Sequence, residues 1–120
     1  MVTGGGSGIG RAASLAFGRE GVKVAIADVN ADAGEETVSA IKGSGSESTF
    51  VHVDVASAAG VQAMINQVVQ TYVRLDYAYN NAGIEGDFTA RLHEYTEEPW
   101  DRLIDINLKG VWLSVKYEIE

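Results

Sequence analysis

The chain has 120 residues, 46% of them apolar, with 14 glycines, one proline, no cysteine and a formal net charge of −8. That size and balance suit one compact domain, residues 1–120, that holds its core without disulfides or a thiolate-bound metal. The acidic surplus, with no run of Lys or Arg, speaks against nucleic acid and against an anionic membrane surface, since both need clustered positive charge. Small anions are still admissible, because backbone dipoles act locally. No apolar stretch nears the roughly 20 residues that cross a bilayer, and glycines stand where a signal peptide would carry its apolar core. A cytoplasmic protein is the expectation.

In chain order, Met1-Val2-Thr3 is short for a strand, which ordinarily has about five residues. It leads into Thr3-Gly4-Gly5-Gly6-Ser7-Gly8-Ile9-Gly10. Ile9, Ala12, Ala13, Ala16 and Phe17 then recur at helical spacing, which predicts a helix with that face inward and Arg11, Ser14 and Arg19 outside. Residues 22–27 predict a strand that stops at Asp28. Residues 32–42 predict a weaker helix, acidic at its start and basic at its end as the macrodipole prefers, closed by a glycine- and serine-rich loop over 43–48. A second strand over 49–53 stops at Asp54. Ser57 is placed to cap a helix whose inner face is Val61, Met64, Ile65, Val68, Val69 and Tyr72. Residues 75–79 predict a third strand, running into Asn80-Asn81-Ala82-Gly83. Thr96 can cap a last helix with Pro99 in its first turn. That helix is expected to reach Glu120 and to lay Trp100, Leu103, Ile104, Leu108, Val111 and Val115 on the sheet. Strands alternating with helices imply an α/β layer fold.

The glycine loop falls where a strand passes into a helix. Such a loop suits a pyrophosphate, which needs close backbone approach and the unpaired N–H groups of a helix start. Gly4 allows the sharp turn, Gly8 the close approach, and Gly10 the packing of helix on strand. Glycine-rich loops alone say little, but here the next strand ends in Asp28, where a carboxylate can meet the ribose hydroxyls of a dinucleotide. The same carboxylate would repel a 2′-phosphate, and neither Ser7 nor Val29 supplies a cation, so NAD is expected over NADP. Arg11 is expected to point to solvent.

Three further motifs follow in order. Asp54-Val55 stands after the second predicted strand, Asn80-Asn81-Ala82-Gly83 after the third, and Asp105-Ile106-Asn107-Leu108-Lys109-Gly110 in the last helix. Together with the Thr-Gly-x-x-x-Gly-x-Gly loop they make the chain resemble, over essentially its whole length, the short-chain dehydrogenase/reductase family. The resemblance implies a Rossmann-like doubly wound parallel sheet of strand order 3-2-1-4, short of the family fold at both ends. It implies cofactor contacts from Thr3, Gly4, Ser7, Gly8, Ile9, Gly10, Asp28, Asp54, Val55, Asn81, Ala82 and Gly83. It also makes Asn107 the asparagine of the catalytic tetrad, which holds a water in a proton relay. Independently of the family, Asn107 interrupts the apolar stripe of its helix, so its amide must find partners.

Family chemistry is hydride transfer between a nicotinamide and an alcohol or carbonyl compound. It needs a tyrosine with a lysine four residues later, and a serine on the preceding strand. Tyr72, Tyr77, Tyr79 and Tyr95 are followed four positions on by Asp76, Asn81, Gly83 and Pro99, and Tyr117 stands too near the end to be followed at all. The chain therefore reads as the cofactor-binding half of such an enzyme. The other reading is a non-catalytic nucleotide-binding or interaction module derived from one. His52 and Asp54 share a strand face but lack a third ligand, so no metal site is expected; His93 and Glu94 read as solvated or as part of a mobile segment bordering the substrate side. Because the last helix commonly packs on a partner subunit in this family, a homo-oligomer is expected.

Overall fold

The computed structural model describes residues 1–87 and 89–119, so the expectation of a helix reaching Glu120 lies, at that residue, outside the described residues. The elements are β1 (Val2–Thr3), α1 (Gly8–Arg19), β2 (Val24–Asp28), α2 (Ala31–Gly43), β3 (Ser48–His52), α3 (Ala58–Tyr72), β4 (Tyr79–Asn80), α4 (Glu97–Ile104) and α5 (Gly110–Glu118). A single 3-10 turn covers Leu92–Glu94, and a π-helical turn, Asp105–Lys109, joins α4 to α5. The strands form one parallel sheet in the order β3-β2-β1-β4, the order implied by the resemblance.

β2 shows why the sheet needs helices on both faces. Its side chains alternate: Ala25 and Ala27 pack with Val61, Met64 and Val68 of α3 and with Leu113, whereas Val24 and Ile26 pack with Val38 and Ile41 of α2. A parallel strand buried on both sides is apolar at every position, which is how β2 reads until Asp28. Ser57 caps α3 as expected, accepting from the Gly60 N–H at 3.2 Å. Asn30 does the same for α2, accepting from Ala33 N–H at 3.1 Å. Thr96 occupies the N-cap position of α4, but its hydroxyl makes no cap bond.

Three expectations are corrected. First, α1 turns a different face inward. Gly10, Ser14 and Gly18 are buried, while Ile9 is 73% exposed and Phe17 42% exposed. The helix lies too close to its neighbours for large side chains: a Cβ on Gly18 would meet Ile41 Cγ2 at 3.0 Å. Small residues mark this contact.

Second, the strand expected over 75–79 is reduced to Tyr79–Asn80. Before Tyr79 the chain meets Met1, just ahead of β1; the Met1 carbonyl accepts from Tyr79 N–H at 2.9 Å and its amino group donates to the Tyr77 carbonyl at 2.8 Å. Below it, residues 75–78 face residues 22–25 across an apolar groove of about 680 Å3.

Third, the last helix is not continuous. Within the π turn the Gly110 N–H reaches back five residues to the Asp105 carbonyl. This rotates everything that follows, so Gly110, Leu113 and Ser114 face the core. Leu108 is instead 64% exposed, and Trp100, Trp112 and Val115 also stand in solvent. Among the described residues, no helix is long and apolar enough to cross a membrane.

Candidate functional site

The carboxyl ends of the parallel strands, where α/β folds hold their ligands, open onto a cleft of about 800 Å3. Of the residues expected to contact a cofactor, Gly4, Ser7, Gly8, Ile9, Asp28, Asp54, Val55, Asn81, Ala82 and Gly83 line it. Thr3 and Gly10 do not; they form the layer behind. Thr3 is buried, and its Oγ1 accepts from the N–H groups of Asn81 at 3.0 Å and Ala82 at 3.1 Å. Asn81 returns the contact, donating Nδ2–H to the Thr3 carbonyl at 3.1 Å and the Gly4 carbonyl at 3.4 Å. A Cβ on Gly10 would overlap the Gly4 carbonyl oxygen and lie 2.6 Å from Asn81 Nδ2. The glycine loop and the Asn-Asn-Ala-Gly segment thus form one hydrogen-bonded unit, although they are separated by about 78 positions.

Ser7 stands at the N-cap of α1 with extended backbone and makes no side-chain cap bond. The helix start, with its partial positive charge, is left open to the cleft. Asp28 ties the loop to the next helix: its Oδ2 accepts from Gly6 N–H at 2.8 Å and its Oδ1 from Asn30 N–H at 2.9 Å. Each oxygen keeps a free lone pair. Arg11, expected in solvent, is instead half-buried and paired with Glu36 of α2 at 2.7 Å. The cation next to the loop is thereby already balanced. Beyond β3, Asp54 Oδ1 accepts from Ala56 N–H at 2.9 Å, and His52 Nε2 lies 3.1 Å from the Val29 carbonyl at the rim. His93 is exposed, 3.8 Å from Glu94, and takes no part.

Asn107 lies outside the cleft lining and is exposed. Its amide is paired with a single residue: Oδ1 accepts from Ile84 N–H at 2.8 Å and Nδ2 donates to the Ile84 carbonyl at 2.9 Å. One lone pair and one N–H remain free. The pairing straps residues 83–85 to the π turn. Sequence reasoning missed Ile84, Glu85, Arg102, Asp105 and Ile106 as cleft residues. Only the i+3 relation of Arg102 and Asp105 along one helix hinted at a common face.

A doubly wound parallel sheet of order 3-2-1-4 with its cleft at the strand ends is a Rossmann-like α/β fold. Its relatives narrow the class. The chain matches the short chain dehydrogenase family model over residues 1–118, and it belongs to that family. It is 41% identical over 120 residues to an uncharacterized oxidoreductase of Thermotoga maritima, and 38% identical over 117 residues to secoisolariciresinol dehydrogenase of Forsythia intermedia. These alignments cover 100% and 98% of this chain but only 46% and 42% of the relatives. Among solved structures it resembles NAD+-bound xylitol dehydrogenase, with a TM-score of 0.93 at 32% identity over 97% of this chain and 44% of that one. Levodione reductase gives a TM-score of 0.94 at 32% identity. The chain therefore spans less than half the length of the relatives it matches.

Proposed function

We propose that this chain is the cofactor-binding half of an NAD-dependent oxidoreductase acting on a small alcohol or carbonyl compound. The observation that carries the reading is the setting of Asp28 at the cleft rim. Its carboxylate is held by two backbone N–H groups with lone pairs to spare, and the nearby Arg11 is engaged by Glu36. Ribose hydroxyls can donate to such a carboxylate; a 2′-phosphate would meet like charge with no cation to offset it. NAD supplies the hydride chemistry when bound. The chain's own residues bind and orient: the open start of α1 and the loop from Gly4 to Ile9 suit the pyrophosphate, Asp54 and Val55 border the adenine side, and Asn81, Ala82 and Gly83 form the opposite wall. Asn107 acts through the lone pair and N–H that Ile84 leaves free, which suits it to hold a water. A Tyr and Lys four apart occur nowhere in the 120 positions, so the chain's share of the reaction is binding.

Titration calorimetry tests this. NAD should bind at least about tenfold more tightly than NADP, a difference of ~1.4 kcal/mol. Asp28→Ala also releases Gly6 N–H and lowers affinity for both, so the ratio is the readout, and it should narrow. Equal binding of both cofactors by the unmutated chain would overturn the assignment.

A further inference from the structure

Beside the glycine loop, at the carboxyl end of β4, Asn80 pairs with Thr3 and donates its Nδ2–H to Glu118 Oε2, near the end of α5, at 3.1 Å. The other oxygens of the same two side chains, Asn80 Oδ1 and Glu118 Oε1, are buried and have no hydrogen-bond partner among the described residues. A buried acceptor without a donor works against folding. An apolar pair would cover the same place without that penalty, which points to a role in geometry rather than in stability.

The connections show what that geometry controls. β4 pairs with β1 through Val2↔Tyr79 and Thr3↔Asn80. The next residue, Asn81, carries the bonds to Thr3 and Gly4 that join the Asn-Asn-Ala-Gly wall to the glycine loop. Glu118 gives this stretch a fixed point from an element 38 positions away in sequence. We propose that Glu118, acting through Asn80, is a positioning residue that holds Asn81 and Ala82 in register with Thr3 and Gly4 and so shapes the dinucleotide cleft. The amino group of Met1 shares this neighbourhood; burial lowers its pKa, while Glu118 and Asp76 act to raise it.

The relevance to cofactor binding rests on the dinucleotide reading, so the test has two independent readouts: the NAD dissociation constant, and hydrogen exchange at the Asn81 and Ala82 amides, which donate to Thr3 Oγ1. Glu118→Ala should raise exchange at both amides and weaken NAD binding by about tenfold, the loss expected for one charge-assisted hydrogen bond. Glu118→Gln should restore both, because its amide can accept from Asn80 Nδ2 and donate to the orphaned Asn80 Oδ1. The double variant Asn80→Leu with Glu118→Leu should unfold at or above the wild-type midpoint yet keep the fast exchange and weak binding. It also serves if Glu118→Ala fails to fold. Wild-type exchange and affinity in the apolar double variant would overturn the proposal, as would failure of Glu118→Gln to rescue. If the unmutated chain binds no dinucleotide, the dinucleotide reading fails, and exchange at Asn81 and Ala82 still decides the role of Glu118.

Discussion

Gly8 and Gly10 stand two residues apart in the glycine loop and are needed for different reasons. Gly8 has φ +51 and nothing within 4 Å of a would-be Cβ. Gly10 has ordinary helical backbone, but a Cβ there would strike the Gly4 carbonyl and Asn81. Gly10→Ala must therefore push the loop away from the Asn81 wall, and it should cost about 2–4 kcal/mol, in the upper range for single substitutions. Gly8→Ala should cost only ~1 kcal/mol for the left-handed backbone. Urea unfolding of the two variants checks this, and equal midpoints would mean that packing at Gly10 has been misjudged. The residues of this loop were legible in the sequence because backbone chemistry leaves few substitutes for glycine. The partner of Asn107 was not. Ile84 contributes only main-chain atoms, and main-chain atoms leave no trace in residue type. The use of Arg11 was hidden too, since its ion pair depends on how α1 and α2 lie together.

At the scale of elements, periodicity located the helices but assigned the wrong face in α1. Counting apolar residues selects Ile9, Ala12, Ala16 and Phe17, yet close packing selects Gly10, Ser14 and Gly18, and only the second rule describes this contact. In the last helix the error has a different source. A stripe extrapolated at 3.6 residues per turn fails once a π turn adds a residue, so Leu108 and Val115 swing outward and Leu113 inward. The same turn places Asn107 opposite Ile84, where its side chain holds residues 83–85. Asn107→Ala should release that strap. Because the residue is exposed and water can replace its bonds, the global cost should be about 1 kcal/mol, while the Ile84 amide should exchange faster by an order of magnitude or so. Unchanged exchange at Ile84 would show that the loop is held by other contacts. The strand expected over 75–79 is a third difference: only Tyr79–Asn80 is a strand, because strand-like residues do not by themselves supply a ladder partner.

For the whole molecule, the alternating pattern gave the α/β class, and the strand order came with the family resemblance that the motifs carry. What covers the outer surface could not be read that way, because exposure depends on the helix rotation just described. Trp100 of α4, Leu108 of the π turn and Trp112 and Val115 of α5 stand in solvent, with Lys116 reaching over the rings of Trp112 and Tyr117 at 5.6 and 5.0 Å. Large apolar side chains gathered on one helical flank mark an association surface. We therefore expect the 120-residue chain to form a two-fold dimer through the α4–α5 flank. The net charge of −8 opposes self-association, so the dimer should tighten as salt screens it, over a Debye length of about 8 Å at physiological ionic strength. Light scattering after size exclusion at micromolar concentration should give twice the chain mass. Trp112→Glu should return the protein to a monomer whose unfolding midpoint no longer rises with protein concentration, since that side chain is already exposed in the single chain. A wild-type monomer at those concentrations and at moderate salt would show that the flank is not a self-association surface.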